Sequence, residues 1–344
     1  MRQNTRMLRP APTATLMLLL AAGTSHAIDS NRGDVQAYVN GLVREQGLDA
    51  DYLLATLESA RSQPAILEAM AKPAERSKTW AEYRAIFMTP ERVKAGVEFW
   101  QAHAAELERV AAKSGVPPEM LVGILGVETY FGRRTGKFRV LDSLATLAFD
   151  YPPRSRFFSN ELTQFFLLAR DDGLDVETAL GSYAGAMGAP QFMPSSYRNF
   201  AVDGDGDGRR DLFNSWPDVL ASIANYFVAH DWKSGEPVVA RGTAVRTLAQ
   251  KPADNKLSAG DTVAGLRRLG LRFSTDQGDA APAGLLVFDG DEGLEYWAGF
   301  RNFFVITRYN RSSMYGLVAY QLGQAIGEGV RLTPDGPLRT ADAP

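Results

Sequence analysis

Gly115 to Gly132 reads GVPPEMLVGILGVETYFG. Pro117 and Pro118 suit the first turn of a helix, where a missing N–H costs little. Leu121, Ile124 and Leu125 then recur at helical spacing and form an apolar stripe. Position 128 continues that stripe at i+7, i+4 and i+3, and it is Glu. A carboxylate on an apolar face loses water, which pushes its pKa up and favours a protonated acid near neutral pH. Glu128 is therefore a candidate general acid. The competing reading is a Glu at the stripe's edge, paired with Arg133 or Arg134.

Around this helix the bulk composition is that of a globular protein. The 344 residues are 45% hydrophobic and 22% charged, with a net charge of −3. That length accommodates about two domains. No basic block or basic-aromatic array is present, which argues against a nucleic-acid partner. Arg2, Arg6 and Arg9 precede an apolar run from Leu16 to Ala22, and Ser25-His26-Ala27 places small residues at −3 and −1 of a cleavage site. This reads as a secretory signal peptide over residues 1–27, because the run is too short to span a bilayer. The chain has no cysteine. Disulfides, thiolate metal sites, a cysteine nucleophile and a lipid-modified N-terminal cysteine are excluded. The expectation is a soluble, exported, periplasmic protein without a lipid anchor.

Residues 32–112 read as a helical N-terminal region, from Val35, Tyr38, Val39, Leu42 and Val43 to Val93, Val97, Trp100, Ala104 and Leu107. Residues 113–233 read as a helical core punctuated by loops. Residues 234–292 carry more Gly, Pro, Ala and Asp and read as a small mixed α/β insertion. Residues 293–330 return to aromatic-rich helix or loop and then helix, completing the core. A flexible tail is expected at 331–344. No internal repeat is visible.

The loop Asp203-Gly204-Asp205-Gly206-Asp207-Gly208-Arg209-Arg210-Asp211 fits the first half of an EF-hand. Asp203, Asp205 and Asp207 stand at positions 1, 3 and 5, Gly208 at the sharp turn, and the Arg209 carbonyl at position 7. Position 12 is Asn214 where a bidentate Glu is usual, and Asp218 follows four residues later. Crowded aspartates repel without a cation. The expected ligands of a single structural calcium ion, with sodium as an alternative occupant, are Asp203, Asp205, Asp207, Arg209 and Asp218. No organic cofactor is expected.

Ser182 to Ser195 reads SYAGAMGAPQFMPS. Its small residues let backbone approach a ligand, while Ser182 and Gln191 offer neutral hydrogen bonds. Tyr309-Asn310 pairs an aromatic ring with an amide, which suits a sugar face and its hydroxyls. His26, His103 and His230 form no ligand pattern. There is no G-x-S-x-G elbow, no P-loop and no G-x-G-x-x-G after a strand.

Together, Gly126-Val127-Glu128-Thr129, Gly181 to Ser196, the aspartate loop, Ala224-Asn225-Tyr226-Phe227 and Ile306 to Asn310 resemble the lytic murein transglycosylase B family. The resemblance runs from about Trp80 to Leu322. It implies a mainly α (α+β) fold with a lysozyme-like helical core, a single EF-hand-like loop and a small α/β insertion. It implies cleavage of peptidoglycan between N-acetylmuramic acid and N-acetylglucosamine, without water, leaving 1,6-anhydromuramoyl ends. The family's single catalytic acid falls on Glu128. Its sugar-contacting positions fall on Tyr83, Ser182, Gln191, Tyr226, Tyr309 and Asn310. The partner implied is the peptidoglycan glycan strand, with cell-wall synthesis or hydrolysis proteins beside it, and a monomer is expected. Two rivals stand: a hydrolytic muramidase using Asp142 or Asp150 as second carboxylate, and a calcium-dependent peptidoglycan-binding scaffold without activity.

Overall fold

The computed structural model describes residues 25–71, 78–248 and 258–333. Most of the expected signal peptide and most of the expected tail lie outside these residues. The elements in chain order are β1 (His26–Ala27), α1 (Gly33–Gln46), α2 (Ala50–Ser59), β2 (Arg61–Ser62), α3 (Pro64–Ala71), α4 (Trp80–Phe87), α5 (Pro90–Ala102) and α6 (Ala104–Ser114). Then come α7 (Pro118–Glu128), β3 (Phe138–Arg139), α8 (Val140–Phe149), α9 (Ser155–Asp172), β4 (Leu180–Gly181), α10 (Pro194–Phe200) and α11 (Trp216–Ala229). The chain ends with β5 (Val239–Ala244), β6 (Asp261–Thr262), α12 (Val263–Leu269), β7 (Leu271–Phe273), β8 (Pro282–Gly290), β9 (Gly293–Gly299), α13 (Arg301–Tyr309) and α14 (Ser313–Leu332).

Helix starts follow side-chain caps. Thr79 and Glu82 form a reciprocal capping box on α4, Ser215 accepts the Asp218 N–H on α11, and Ser312 accepts the Tyr315 N–H on α14. The helix α7 starts at Pro118 as expected, but its burial is not one-sided: every residue from Met120 to Gly126 is buried. It is the central helix of the core, so neighbours cover all its faces and Glu128 ends it at a half-buried edge. The closest neighbour is α14. A Cβ on Gly123 would overlap the Ala319 carbonyl, and one on Gly323 would overlap the Glu119 carbonyl. Glycine at both positions lets the two backbones touch.

The insertion is a five-stranded antiparallel sheet in the order β6-β8-β9-β5-β7, with α12 and a small core of its own built on Val263, Leu266, Leu271, Ala298 and Phe300. Here the sequence reading needs correction. It placed residues from 293 onward in aromatic-rich helix or loop, yet β9 pairs with both β8 and β5. The sheet therefore runs to Gly299. A two-residue connection, Asp291-Glu292, folds β9 back on β8, with Gly293 in the left-handed region at φ 110°. The sheet meets the helical body where Phe288 packs on Trp80, ring centroids 5.0 Å apart.

Candidate active site

Glu128 is the last residue of α7, followed by Thr129. Thr129 is fully buried and its hydroxyl donates to the Ala189 carbonyl at 2.8 Å, while accepting the Gly132 N–H at 3.0 Å. The end of α7 is thus tied to the small-residue loop. On the opposite side the Tyr315 hydroxyl donates to Glu128 Oε1 at 2.5 Å. Tyr315 is 2% exposed. Burial pushes its pKa well up, and the nearby Glu128 charge pushes it further. The phenol is therefore a fixed donor to the carboxylate. It was not among the sequence candidates. The signal was present in α14, where Tyr315 shares a face with Val318, Ala319 and Leu322 and is the polar-tipped residue of that apolar row.

Tyr309 stands beside the same carboxylate. Burial raises its pKa well above the usual phenol value, with Glu128 and then Tyr226 adding to the effect. Its hydroxyl donates to the Pro190 carbonyl at 2.6 Å, so α13 is pinned to the small-residue loop as well. Its ring lies 4.9 Å from that of Tyr226 and 5.7 Å from that of Phe192. The Tyr226 hydroxyl donates to the Arg308 carbonyl at 2.8 Å, and burial pushes its pKa up to about 12. His230 stacks on Tyr226 at 4.1 Å. Tyr83 is buried, packs on Phe87 at 5.2 Å, and lies near enough to Tyr315 for the two phenols to influence each other.

Gln191 adopts φ 52°, a left-handed conformation that is strained for a residue with a Cβ. Its Nε2 donates to the Thr135 and Gly188 carbonyls, both at 2.9 Å, leaving Oε1 as the acceptor to offer a ligand. The Ser182 hydroxyl oxygen accepts the Ala184 and Ala186 N–H groups at 3.3 and 3.0 Å, which leaves its proton available for donation. Its link to Glu128 runs through the loop, by bridges from Gly181 to Met187 and from Met187 to Phe192. Asn310 follows α13 and is half-buried. In the competing reading Glu128 would pair with Arg133 or Arg134. Arg133 faces Glu98 at 3.7 Å, and both Arg133 and Arg134 lie over the Tyr130 ring.

Asp142 and Asp150 are committed elsewhere. Asp142 accepts the Arg61 N–H at 2.9 Å and pairs with Arg139 at 3.4 Å. Asp150 accepts Ser62 Oγ at 2.6 Å and Arg32 Nη1 at 2.7 Å. Both carboxylates fasten the N-terminal segment and β2 to the end of the core.

In the acidic loop, oxygens of Asp203, Asp205 and Asp218 lie within 4.8 Å of one another. Three hard carboxylate donors in that space suit calcium or a similar cation. Gly206 and Gly208 turn the loop at φ 83° and 87°. Asp218 is 1% exposed and accepts the Gly204 and Asp211 N–H groups, both at 2.7 Å. Asp203 accepts the Gly208 and Gly206 N–H groups, which lowers its pKa. Asp207 is exposed, caps the Arg209 N–H at 2.8 Å, and stands outside the three-carboxylate group. Both Asp207 and Asp218 were expected ligands; Asp218 comes from the first turn of α11 and lies in this group, while Asp207 sits at the loop's exposed tip.

The transglycosylase SLT domain family matches residues 30–324. The membrane-bound lytic murein transglycosylase B of Escherichia coli (strain K12) is 40% identical over 307 residues, 86% of this chain and 83% of that protein. Among solved structures, catenated lytic transglycosylase SltB1 from Pseudomonas aeruginosa is 43% identical, with a TM-score of 0.83 over 87% of this chain and 99% of that one. The Escherichia coli lytic transglycosylase Slt35 in complex with calcium is 39% identical, with a TM-score of 0.80 over 89% of this chain and 96% of that one. The fold is thus the lysozyme-like one of the SLT domain.

Proposed function

We infer the function from one premise: the chain belongs to the SLT-domain lytic transglycosylases of the lytic murein transglycosylase B type. It is a lytic transglycosylase acting on peptidoglycan. Within that activity we propose that Glu128 is the single acid and base. The observation that carries this reading is one carboxylate set among phenols, held by Tyr315, while Asp142 and Asp150 are both engaged with the N-terminal segment. A glycosidase of the usual kind needs two carboxyl groups flanking the bond.

In this mechanism Glu128 protonates the oxygen between C1 of muramic acid and C4 of glucosamine, and the C1–O4 bond breaks. The muramoyl O6 attacks C1 and loses its proton to Glu128, so the C1–O6 bond forms and the carboxyl group is restored. No water enters. The nucleophile is part of the substrate, so proximity supplies much of the rate. Tyr315 donates to Oε1 and so orients the carboxyl group that carries the travelling proton. Tyr83, Ser182, Gln191, Tyr226, Tyr309 and Asn310 are proposed to hold the sugars, Ser182 as donor and Gln191 Oε1 as acceptor for the N-acetyl group. Products from purified sacculi should be lighter than hydrolysed muropeptides by the mass of one water. Reducible muramic ends as the main product would reinstate the two-carboxylate hydrolase.

Slt35 has been solved with calcium. We propose the same ion here, held by Asp203, Asp205 and Asp218, with Asp207 and the Arg209 carbonyl completing the shell. It would neutralise crowded carboxylates and clamp the loop to α11. Sodium is the alternative occupant. Export to the periplasm, the monomeric state and contacts with other cell-wall proteins are parts of the same proposal. No single described helix is long and apolar enough to cross a membrane.

A further inference from the structure

Two residues beyond Glu128 the backbone is strained. Tyr130 and Phe131 adopt φ 52° and 58°, consecutive left-handed conformations that each cost about 1–3 kcal/mol for residues with side chains. The turn persists because its surroundings fix it. The Phe131 N–H bonds the Leu125 carbonyl at 3.0 Å, the Arg134 N–H bonds the Thr129 carbonyl at 2.9 Å, and the buried Phe131 ring stacks on Phe99 at 5.6 Å. The strained turn sets the Tyr130 ring half-buried at the edge of the core, and three guanidinium groups gather on it. Arg92, Arg133 and Arg134 lie 5.0, 5.2 and 5.3 Å from its centroid. Arg92 also lies 5.0 Å from the Phe87 ring.

Three cations around one ring repel one another. Cation–π contact returns only about 0.5–1 kcal/mol each at exposed sites. Glu98 reaches Arg133 at 3.7 Å with both side chains about half exposed, a weak pair. Arg92 Nη1 is buried without a hydrogen-bond partner among the described residues. Burial and the Arg134 charge both push the Arg92 pKa down. The cluster therefore holds positive charge in excess of what the fold compensates. It is also continuous with the proposed sugar cleft, because Phe87 packs on Tyr83 at 5.2 Å.

We propose that Arg133 and Arg134, backed by Arg92, form a carboxylate-binding subsite that seats the peptide stem of the glycan strand. The inference rests on the transglycosylase reading above. Exposed guanidinium forks match a carboxylate in geometry and charge. The peptide stems of peptidoglycan carry such carboxylates on the very sugar the enzyme attacks. Arg92 lies beneath and supplies charge without touching the ligand.

The test compares kcat/KM on peptide-bearing glycan strands and on the same strands stripped of peptide by an amidase. The double variant R133A/R134A should keep its melting temperature within about 2 °C, as exposed positions do. It should lose about tenfold on peptide-bearing strands and less than twofold on stripped ones. R133K/R134K should fall between, since charge is kept and the fork is lost. Equal losses on both substrates, or no loss on either, would overturn the subsite. So would arginine-dependent sedimentation with phosphatidylglycerol vesicles in a variant that keeps its peptide preference, which would assign the cluster to a membrane surface. A wild-type protein that cleaves neither strand would instead overturn the transglycosylase reading itself.

Discussion

Glu128 and Tyr315 meet at 2.5 Å although 187 residues separate them. Glu128→Gln removes the only group proposed to move protons. Loss of a general acid costs about 10²–10⁴-fold. The variant should retain less than about a tenth of wild-type turnover on sacculi at an unchanged melting temperature, and more would sink the assignment. Tyr315→Phe is subtler. The phenol donates to the carboxylate, which favours its ionised form. Without it the protonated acid should persist to higher pH, so the alkaline limb of the kcat profile, where the general acid loses its proton, should move upward, with a rate loss of about tenfold, the worth of one hydrogen bond to a charged group. A profile that keeps its position would show Tyr315 to be packing only. Position 128 was singled out by helical period, but Tyr315 was not, since nothing near Ser313 names its partner.

At the scale of elements, α7 was readable from its prolines and period, and α14 from its own. Their crossing was not. It depends on Gly123 and Gly323 matching carbonyls on the other helix, and each glycine alone is only a weak point in a helix. The acidic loop shows the same division. Its ligand types and turn glycines were legible, while the meeting of Asp218 with Asp203 and Asp205 depended on where α11 packs. Calcium at about a hundredfold excess over Kd should stabilise by about 2.7 kcal/mol. That corresponds to a rise of about 4 °C in Tm for a chain of this size. Magnesium should give less, because it tolerates irregular oxygen shells poorly. Asp205→Ala should abolish the rise. An equal calcium response in Asp205→Ala would move the ion elsewhere, and loss of activity on chelation at temperatures where the fold is intact would give it a catalytic role.

Across the whole molecule, the N-terminal segment is clasped to the core through Asp150, which holds both Ser62 and Arg32, and through Asp142, which holds the Arg61 N–H. Asp150→Asn should therefore cost stability, about 2 kcal/mol for a partly buried charged hydrogen-bond pair. It should leave the anhydromuramoyl product unchanged. A switch in product, or a rate loss as large as that of Glu128→Gln with the fold intact, would return Asp150 to the chemistry.

What the sequence by itself determined here is short in range: the proline-started helix carrying Glu128, the aspartate loop with its turn glycines, the small-residue stretch around Gln191, and the composition change that marks the insertion. Each is settled within roughly one element, where period, capping and turn chemistry act. What only the tertiary structure decided is which groups meet. It gave Glu128 its phenol, sent Asp142 and Asp150 to the N-terminal segment, brought Asp218 to Asp203, and carried the sheet through β9 to Gly299. Those outcomes turn on contacts between residues far apart in the chain. Their energy comes from burial and pairing that do not exist until distant elements have packed.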